Sequence, residues 1–268
     1  MSMNNVLLQK ILDCRNESQV AGLMRFFKCG PGQYGEGDRF LGIKVPATRE
    51  VVKECWKDVS FKDLEECILS DYHEVRLAAL LCLVQIFSNA GKSKPSCCKA
   101  FDSACQAGGR DAGWRMLQKR CVDFYLAHTD RINNWDLVDL SCYSLLGEWL
   151  MDKDRSILYD LARCGKNIWE RRIGIVSTMA FVRKGQLDDT YAIADIFLLD
   201  EPGKGQAREA PLHDLLQKSV GWLLREAGKK DEASLRRFLD SRFKTMPRTM
   251  LRYAIEKFSP ELRRYYMS

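Results

Sequence analysis

The spacing of apolar residues constrains this chain more than any other feature. They recur at i, i+3, i+4 and i+7 along nearly all of its 268 residues, and the alternation expected of strands is almost absent. That pattern makes amphipathic helices and leaves little material for a sheet. Candidate helices fall near 3–14, 17–28, 46–57, 61–69, 73–89, 95–107, 112–127, 134–148, 154–164, 167–184, 187–199, 207–228, 231–241, 246–257 and 259–266. Most run about three to five turns and are joined by short polar links. Consecutive helix pairs without strands predict an all-α fold, a curved solenoid of HEAT-like antiparallel helix pairs forming one domain over residues 1–268. No strict sequence period survives, so the expectation rests on helix lengths and links. A compact irregular bundle is the alternative.

Hydrophobic residues at 46% and charged residues at 29% are enough for a sizeable core and argue against disorder away from the ends. The formal net charge is +6, and the whole excess falls from Lys166 onward. A basic bias on one part of a chain suits a phosphate-binding surface, although an unevenly charged solvated surface accounts for it equally well. Eleven Cys give no CxxC pair, and His73, His128 and His213 have no partner at ligand spacing, so no metal or other cofactor is expected. Cys82, between Leu81 and Leu83, reads as a buried small hydrophobe. The N-terminus lacks the pattern of a signal peptide and no stretch approaches a membrane span. The expected setting is a bacterial-type cytoplasm with reduced thiols.

One short run carries the chemistry. Asn134-Trp135-Asp136-Leu137-Val138-Asp139 opens a helix, which places Trp135 and Asp139 at i and i+4 on one face. Alone, Asp139 is more often a solvated or paired carboxylate and Trp135 more often packing. Their weight rises with two further helices. Asn167 and Glu170 have capping-box spacing before a stripe of Ile168, Ile175, Val176 and Met179, and Arg172 lies on that stripe where an apolar residue belongs. On the helix of Leu212, Leu215 and Leu216, the other face carries Lys218, Trp222, Arg225 and Lys229. Were these faces to converge, two indoles and a carboxylate would flank a sugar while arginines held phosphates. The segment Gly30–Asp38 is a glycine-rich loop without a P-loop ending. It reads first as a flexible connector, and second as amides that approach phosphate.

The reaction this arrangement suits is cleavage of an N-glycosidic bond, whose transition state places positive charge on the deoxyribose. A carboxylate about 4 Å away contributes several kcal/mol at an effective dielectric near 20, and each aromatic face adds roughly 0.5–2 kcal/mol. A cationic alkylpurine leaves without a general acid. A neutral base needs one, and none of the three His is an obvious candidate.

The chain resembles the DNA alkylation repair glycosylase (AlkD-like) family over nearly its whole length. The matching runs are Phe40-Leu41-Gly42-Ile43-Lys44-Val45-Pro46, Arg76-Leu77-Ala78-Ala79-Leu80, Asn134 to Asp139, Ile168-Trp169-Glu170-Arg171-Arg172-Ile173, Val220-Gly221-Trp222-Leu223-Leu224-Arg225-Glu226 and Leu251-Arg252-Tyr253-Ala254-Ile255. Each fragment is weak alone; their order and coverage make the match specific. The resemblance implies HEAT-like repeats with DNA in the concave face and a monofunctional glycosylase. Such an enzyme removes N3- and N7-alkylpurines from duplex DNA without metal or cofactor, leaves an abasic site and needs no pocket for a flipped base. It further implies that Asp139 stabilises the sugar cation and positions water, and that Trp135 and Trp222 lie against the lesion's deoxyribose. By the same resemblance Arg172 contacts the DNA backbone, as does Arg225 more weakly, with Lys218 beside it on the same face. This chain departs from the pattern by inserting roughly Cys29 to Arg39, where the resemblance does not carry the N-terminal DNA contacts or the lesion range.

The expected partner is therefore double-stranded DNA bearing alkylated bases, bound by a monomer. The competing reading is a non-catalytic HEAT-repeat protein that recognises bent or branched DNA; a carboxylate facing phosphates argues against it. A protein-interaction scaffold is the third, opposed by the Trp–Arg faces.

Overall fold

A computed structural model describes residues 5–92, 96–102, 105, 110–198 and 212–268; these are helices and links, with no strand among them. They pack as two compact units, Met1–Ser141 and Cys142–Ser268.

The first unit holds α1 (Val6–Asp13), α2 (Glu17–Phe26), α3 (Val45–Cys55), α4 (Phe61–Ile68), α5 (His73–Ala90), α6 (Arg110–Ala127) and the short α7 (Trp135–Asp139). Its centre is α5, which packs against α1, α3, α4, α6 and α7. That position explains its composition. Val75, Leu77, Ala78, Leu80, Cys82, Leu83 and Ile86 surround the axis and are all buried, as expected of a helix with neighbours on every side. By contrast, α2 buries none of its residues.

The second unit begins with a π-helical turn, Tyr143–Gly147. It continues through α8 (Ser156–Cys164), α9 (Ile168–Val176), α10 (Met179–Arg183), α11 (Asp188–Leu198), α12 (Asp214–Lys230), α13 (Glu232–Asp240), α14 (Arg248–Ala254) and α15 (Pro260–Met267). Here α12 is central, packing against α9, α10, α11, α13 and α14. Gly221 permits a close backbone approach to α14, because a Cβ there would lie 2.4 Å from the Met250 carbonyl oxygen. In both units helices pack on their sequence neighbours, the arrangement from which helical-repeat solenoids are built.

The expected helices are largely present, with informative exceptions. The helix expected over 134–148 stops after Asp139, where the Ser141 hydroxyl donates to the Leu137 carbonyl at 2.5 Å and competes with the helical amide for that acceptor. The helix expected over 167–184 breaks at Ser177–Thr178 for the same reason: Thr178 Oγ1 donates to the Ile175 carbonyl at 2.7 Å. Of the helix expected over 95–107, the described residues 96–102 form turns instead. Asn89 fastens them, its side chain accepting from Ser96 N at 3.0 Å and donating to Ser96 O at 2.8 Å. The start of the helix expected over 207–228 lies outside the described residues; the described helix begins at Asp214, and His213 Nδ1 accepts from Leu215 N.

Candidate active site

Trp135 and Asp139 sit on α7, the N-terminus of which is fixed by three side chains. The Asn134 side chain is fully buried and accepts from Trp135 N at 2.9 Å. Asp136 Oδ1 accepts from Leu137 N at 2.9 Å, and Asp136 Oδ2 lies 2.9 Å from His73 Nε2. Leu137 and Val138 point into the core with no exposure, which turns Trp135 and Asp139 the other way.

Both residues line a cleft of about 490 Å³ whose walls are almost entirely apolar. Leu23 and Phe26 come from α2, Phe27 and Phe40 from the segment between α2 and α3, Pro46 from α3, and His73 and Leu77 from α5. The rings form a continuous wall. Trp135 stacks on Phe27 at 5.4 Å and meets Phe26 edge-on at 5.8 Å; Phe27 stacks on Phe40 at 5.2 Å, and Phe40 stacks on His73 at 4.7 Å. A carboxylate at the edge of such a wall holds a cation strongly, since aromatic faces attract positive charge and the apolar lining lowers the local dielectric.

The segment between α2 and α3 is held by charge. Glu74, 1% exposed, accepts from the backbone N–H groups of Leu41, Gly42 and Ile43 at 2.9, 2.9 and 3.0 Å. Gly42 makes that turn possible. Its φ is +85°, and a Cβ would sit 1.9 Å from the Asn16 carbonyl oxygen. Behind the aromatic wall, His73 Nδ1 lies 3.0 Å from Asp38 Oδ2, and Arg76 Nη2 donates to Asp38 Oδ1 and, at 3.0 Å, to Asn133 Oδ1. Burial would lower the His73 pKa, but Asp136 and Asp38 outweigh it and hold the imidazole at about 9. Burial would raise the Asp38 pKa, but His73 and Arg76 hold it below the usual carboxylate range. The neighbouring Cys29 thiol is pushed up to about 11, by burial first and then by Asp38.

The other expected site residues belong to the second unit. Arg172 is 6% exposed, and its Nη1 donates to the Leu215 carbonyl at 2.5 Å. Ahead of it, Asn167 Oδ1 caps Trp169 N and Glu170 N as its spacing predicts, and the Glu170 carboxylate accepts from Lys166 N at 2.7 Å. Trp222 is half-buried and lines a cleft of about 510 Å³ with Met179, Val182, Arg183 and Glu226. Three cations on its helix are engaged by carboxylates: Lys218 with Asp214 at 2.6 Å, Arg225 with Glu226 at 3.2 Å and with Glu256, and Lys229 with Glu226 at 2.7 Å. Trp135 and Asp139 are thus brought together in the first unit. In the second, Trp222 shares a helix and its basic face with Lys218 and Arg225.

Sequence reasoning missed Phe26, Phe27, Phe40 and His73. The Phe26–Phe27 pair was the available signal. His73 had none, because its partners lie 35 and 63 residues away. Nor is Gly30–Asp38 a plain connector, since its last residue is 5% exposed and grips α5. Among the described residues no three His, Cys, Asp or Glu side chains converge to hold a metal, and no helix is long and apolar enough to cross a membrane. No disulfide forms among the cysteines, and burial raises the thiols of Cys67, Cys82 and Cys121.

Comparison with curated proteins returns no match. A family model described as DNA alkylation repair enzyme matches residues 7–258, a span that takes in the Trp135–Asp139 helix, the cleft it lines and both central helices. The chain belongs to the DNA alkylation repair enzyme family.

Proposed function

We propose that this protein is a monofunctional DNA glycosylase that hydrolyses the N-glycosidic bond of cationic N3- and N7-alkylpurines in duplex DNA and leaves an abasic site. The observation that carries the reading is the pairing of Asp139 with the Trp135 indole at one aromatic, apolar cleft. In the reaction the alkylated purine departs with the bonding electrons, which neutralise its charge, and the deoxyribose becomes oxocarbenium-like. Asp139 stabilises that cation and takes a proton from the attacking water. Trp135 presents its face to the sugar and excludes bulk solvent. In the second unit, Arg225 and Lys218 take backbone phosphates.

The selectivity follows from the proton inventory. A neutral base needs a general acid to leave. His73, although it lines the cleft, has both ring nitrogens against carboxylates and no N–H to offer a leaving base. A lesion already cationic leaves unaided.

The test is release of 7-methylguanine and 3-methyladenine from methylated duplex DNA, with Asp139→Asn beside the wild type. An electrostatic contribution of about 4 kcal/mol corresponds to a loss of about 10²–10³-fold in the excision rate. DNA affinity should be unchanged or slightly tighter, because a negative charge near phosphate is removed. Unimpaired excision by Asp139→Asn removes the carboxylate from the mechanism. No release by the wild type, with salt-sensitive DNA binding intact, replaces the enzyme with a non-catalytic DNA-binding protein.

A further inference from the structure

The strongest feature that this function leaves unused is the buried chain of charges behind the cleft. Asp38, His73 and Asp136 are respectively 5%, 1% and 3% exposed, and Arg76 is 2% exposed. Burying four ionisable groups costs folding energy unless each is paired and hydrogen-bonded, and an all-apolar packing of the same space is often as stable. The arrangement therefore needs an account beyond stability.

Its geometry supplies one. An ionised carboxylate only accepts hydrogen bonds, and each ring nitrogen of His73 faces one, at 3.0 and 2.9 Å. Both nitrogens must then carry protons, which makes the ring an imidazolium. Phe27 and Phe40 lie against it with ring centroids at 4.8 and 4.7 Å, where a cation is favoured. Downstream, α7 has only five residues, too few to hold its own geometry by helix propagation. Its orientation has to come from outside, and His73 reaches it twice. One route is the hydrogen bond to Asp136, which lies between Trp135 and Asp139 in the chain. The other is the stack through Phe27 onto the Trp135 indole. The far side of the imidazolium is anchored on Asp38, the last residue of the glycine-rich loop. Asp38 is itself fixed by Arg76 and Asn133.

We propose that His73 is a positioning residue for base excision: clamped as an imidazolium between Asp38 and Asp136, it ties the Cys29–Arg39 insertion to α7 and fixes where Trp135 and Asp139 stand in the cleft. The role rests on the glycosylase reading above. It also gives the insertion a purpose, since Asp38 belongs to it.

The clamp has a pH signature. The charged groups that face His73 are Asp38 from the loop, Asp136 from α7, and Arg76 beside Asp38 on its own helix. Glu74 is occupied by three amides, and Lys44 and Asp139 lie along the same cleft. The folded-state pKa of His73 is raised from 6.5 to about 9, so the clamp's contribution is complete below 6.5 and is lost as pH rises through about 9. The nearby Cys29 thiol, at about 11, titrates later.

The test reads excision of 3-methyladenine from pH 6 to pH 10 by wild type and His73→Gln. That lesion has no ring N–H to lose in this range, whereas 7-methylguanine has one. The wild-type single-turnover rate should fall on the alkaline side with a midpoint of about 9. His73→Gln should be slower by about 10²-fold near neutrality, the loss expected from misplacing reacting groups by about 1 Å. It should lack the alkaline fall and bind lesion DNA within about twofold of wild type. A merely structural His73 would lower the fraction of folded protein and leave the shape of the pH profile unchanged. A His73→Gln enzyme as fast as wild type, or one with the same alkaline fall, overturns the positioning role and leaves the glycosylase standing. A wild type that releases no base overturns the glycosylase, and the positioning role with it. ¹⁵N-imidazole spectra of the wild type alone provide a check that survives a variant that fails to fold. Two protonated ring nitrogens at pH 7.5 support the clamp, and a neutral ring overturns it.

Discussion

Glu74 shows how a single side chain sets this site. One carboxylate satisfies three consecutive amides, which fixes the Leu41–Ile43 turn and brings Phe40 to the aromatic wall. Replacing it with Ala strands three buried N–H groups, so Glu74→Ala should cost about 3 kcal/mol or more in urea unfolding of the whole chain. Gly42→Ala should be comparably harmful, since neither its backbone conformation nor the Asn16 carbonyl leaves room for a methyl group. Asp38 adds an acid-side prediction. Its folded pKa is depressed below 3.8, so its contribution is present above that value and lost as pH falls through the lower one. Asp38→Asn should therefore be less stable than wild type at pH 7 in urea unfolding followed by Trp fluorescence, and the difference should shrink as pH falls through the depressed value; equal stability of the two proteins at pH 7 would mean that Asp38 stabilises nothing. At this scale the sequence was readable where partners are close in the chain. Trp135 and Asp139 share a face at i and i+4, and they do line one cleft. His73 was unreadable because no local pattern encodes carboxylates 35 and 63 residues away.

At the scale of the element, starts were legible and interruptions were not. A cap is a local event: Asn167 satisfies the amides of Trp169 and Glu170, and Ser60 and Asp63 form a reciprocal capping box at the head of α4. Asn167→Ala should therefore lower stability by about 1 kcal/mol, read as a shift of the denaturation midpoint at constant slope. The breaks at Ser141 and Thr178 depend on a hydroxyl turning back onto a carbonyl of the preceding turn. Ser and Thr occur inside unbroken helices too, so the residue type alone does not announce the break. The interruption after Asp139 matters most, because it leaves α7 as a single short turn whose register is set by Asn134, Asp136 and His73 rather than by its own length. Asn134→Ala should accordingly impair excision more than its effect on folding would predict, measured as the single-turnover rate of fully folded protein.

At the scale of the molecule, helical periodicity predicts an all-α chain but says nothing about how that chain divides. The boundary at Ser141–Cys142 falls inside what periodicity reads as one continuous helix. Charge has the same limit. The basic excess from Lys166 onward is real, yet around Trp222 each of Lys218, Arg225 and Lys229 is already engaged by a carboxylate. The Lys218–Asp214 pair is largely exposed and individually weak, and Glu256, one of the two carboxylates on the half-buried Arg225, is itself exposed, so a phosphate can displace it. The phosphate contact proposed for Arg225 then has a competitor, Glu256, which can be removed. Glu256→Gln should tighten binding to duplex DNA a few-fold and steepen the slope of log K against log salt by about 0.9, the increment for one more phosphate neutralised. Arg225→Gln should abolish that increment in the Glu256→Gln background, which separates a local competition from a general change in net charge. If Glu256→Gln alters affinity without altering the salt slope, Arg225 does not exchange its carboxylate for a phosphate, and the DNA contact on this face belongs to other cations.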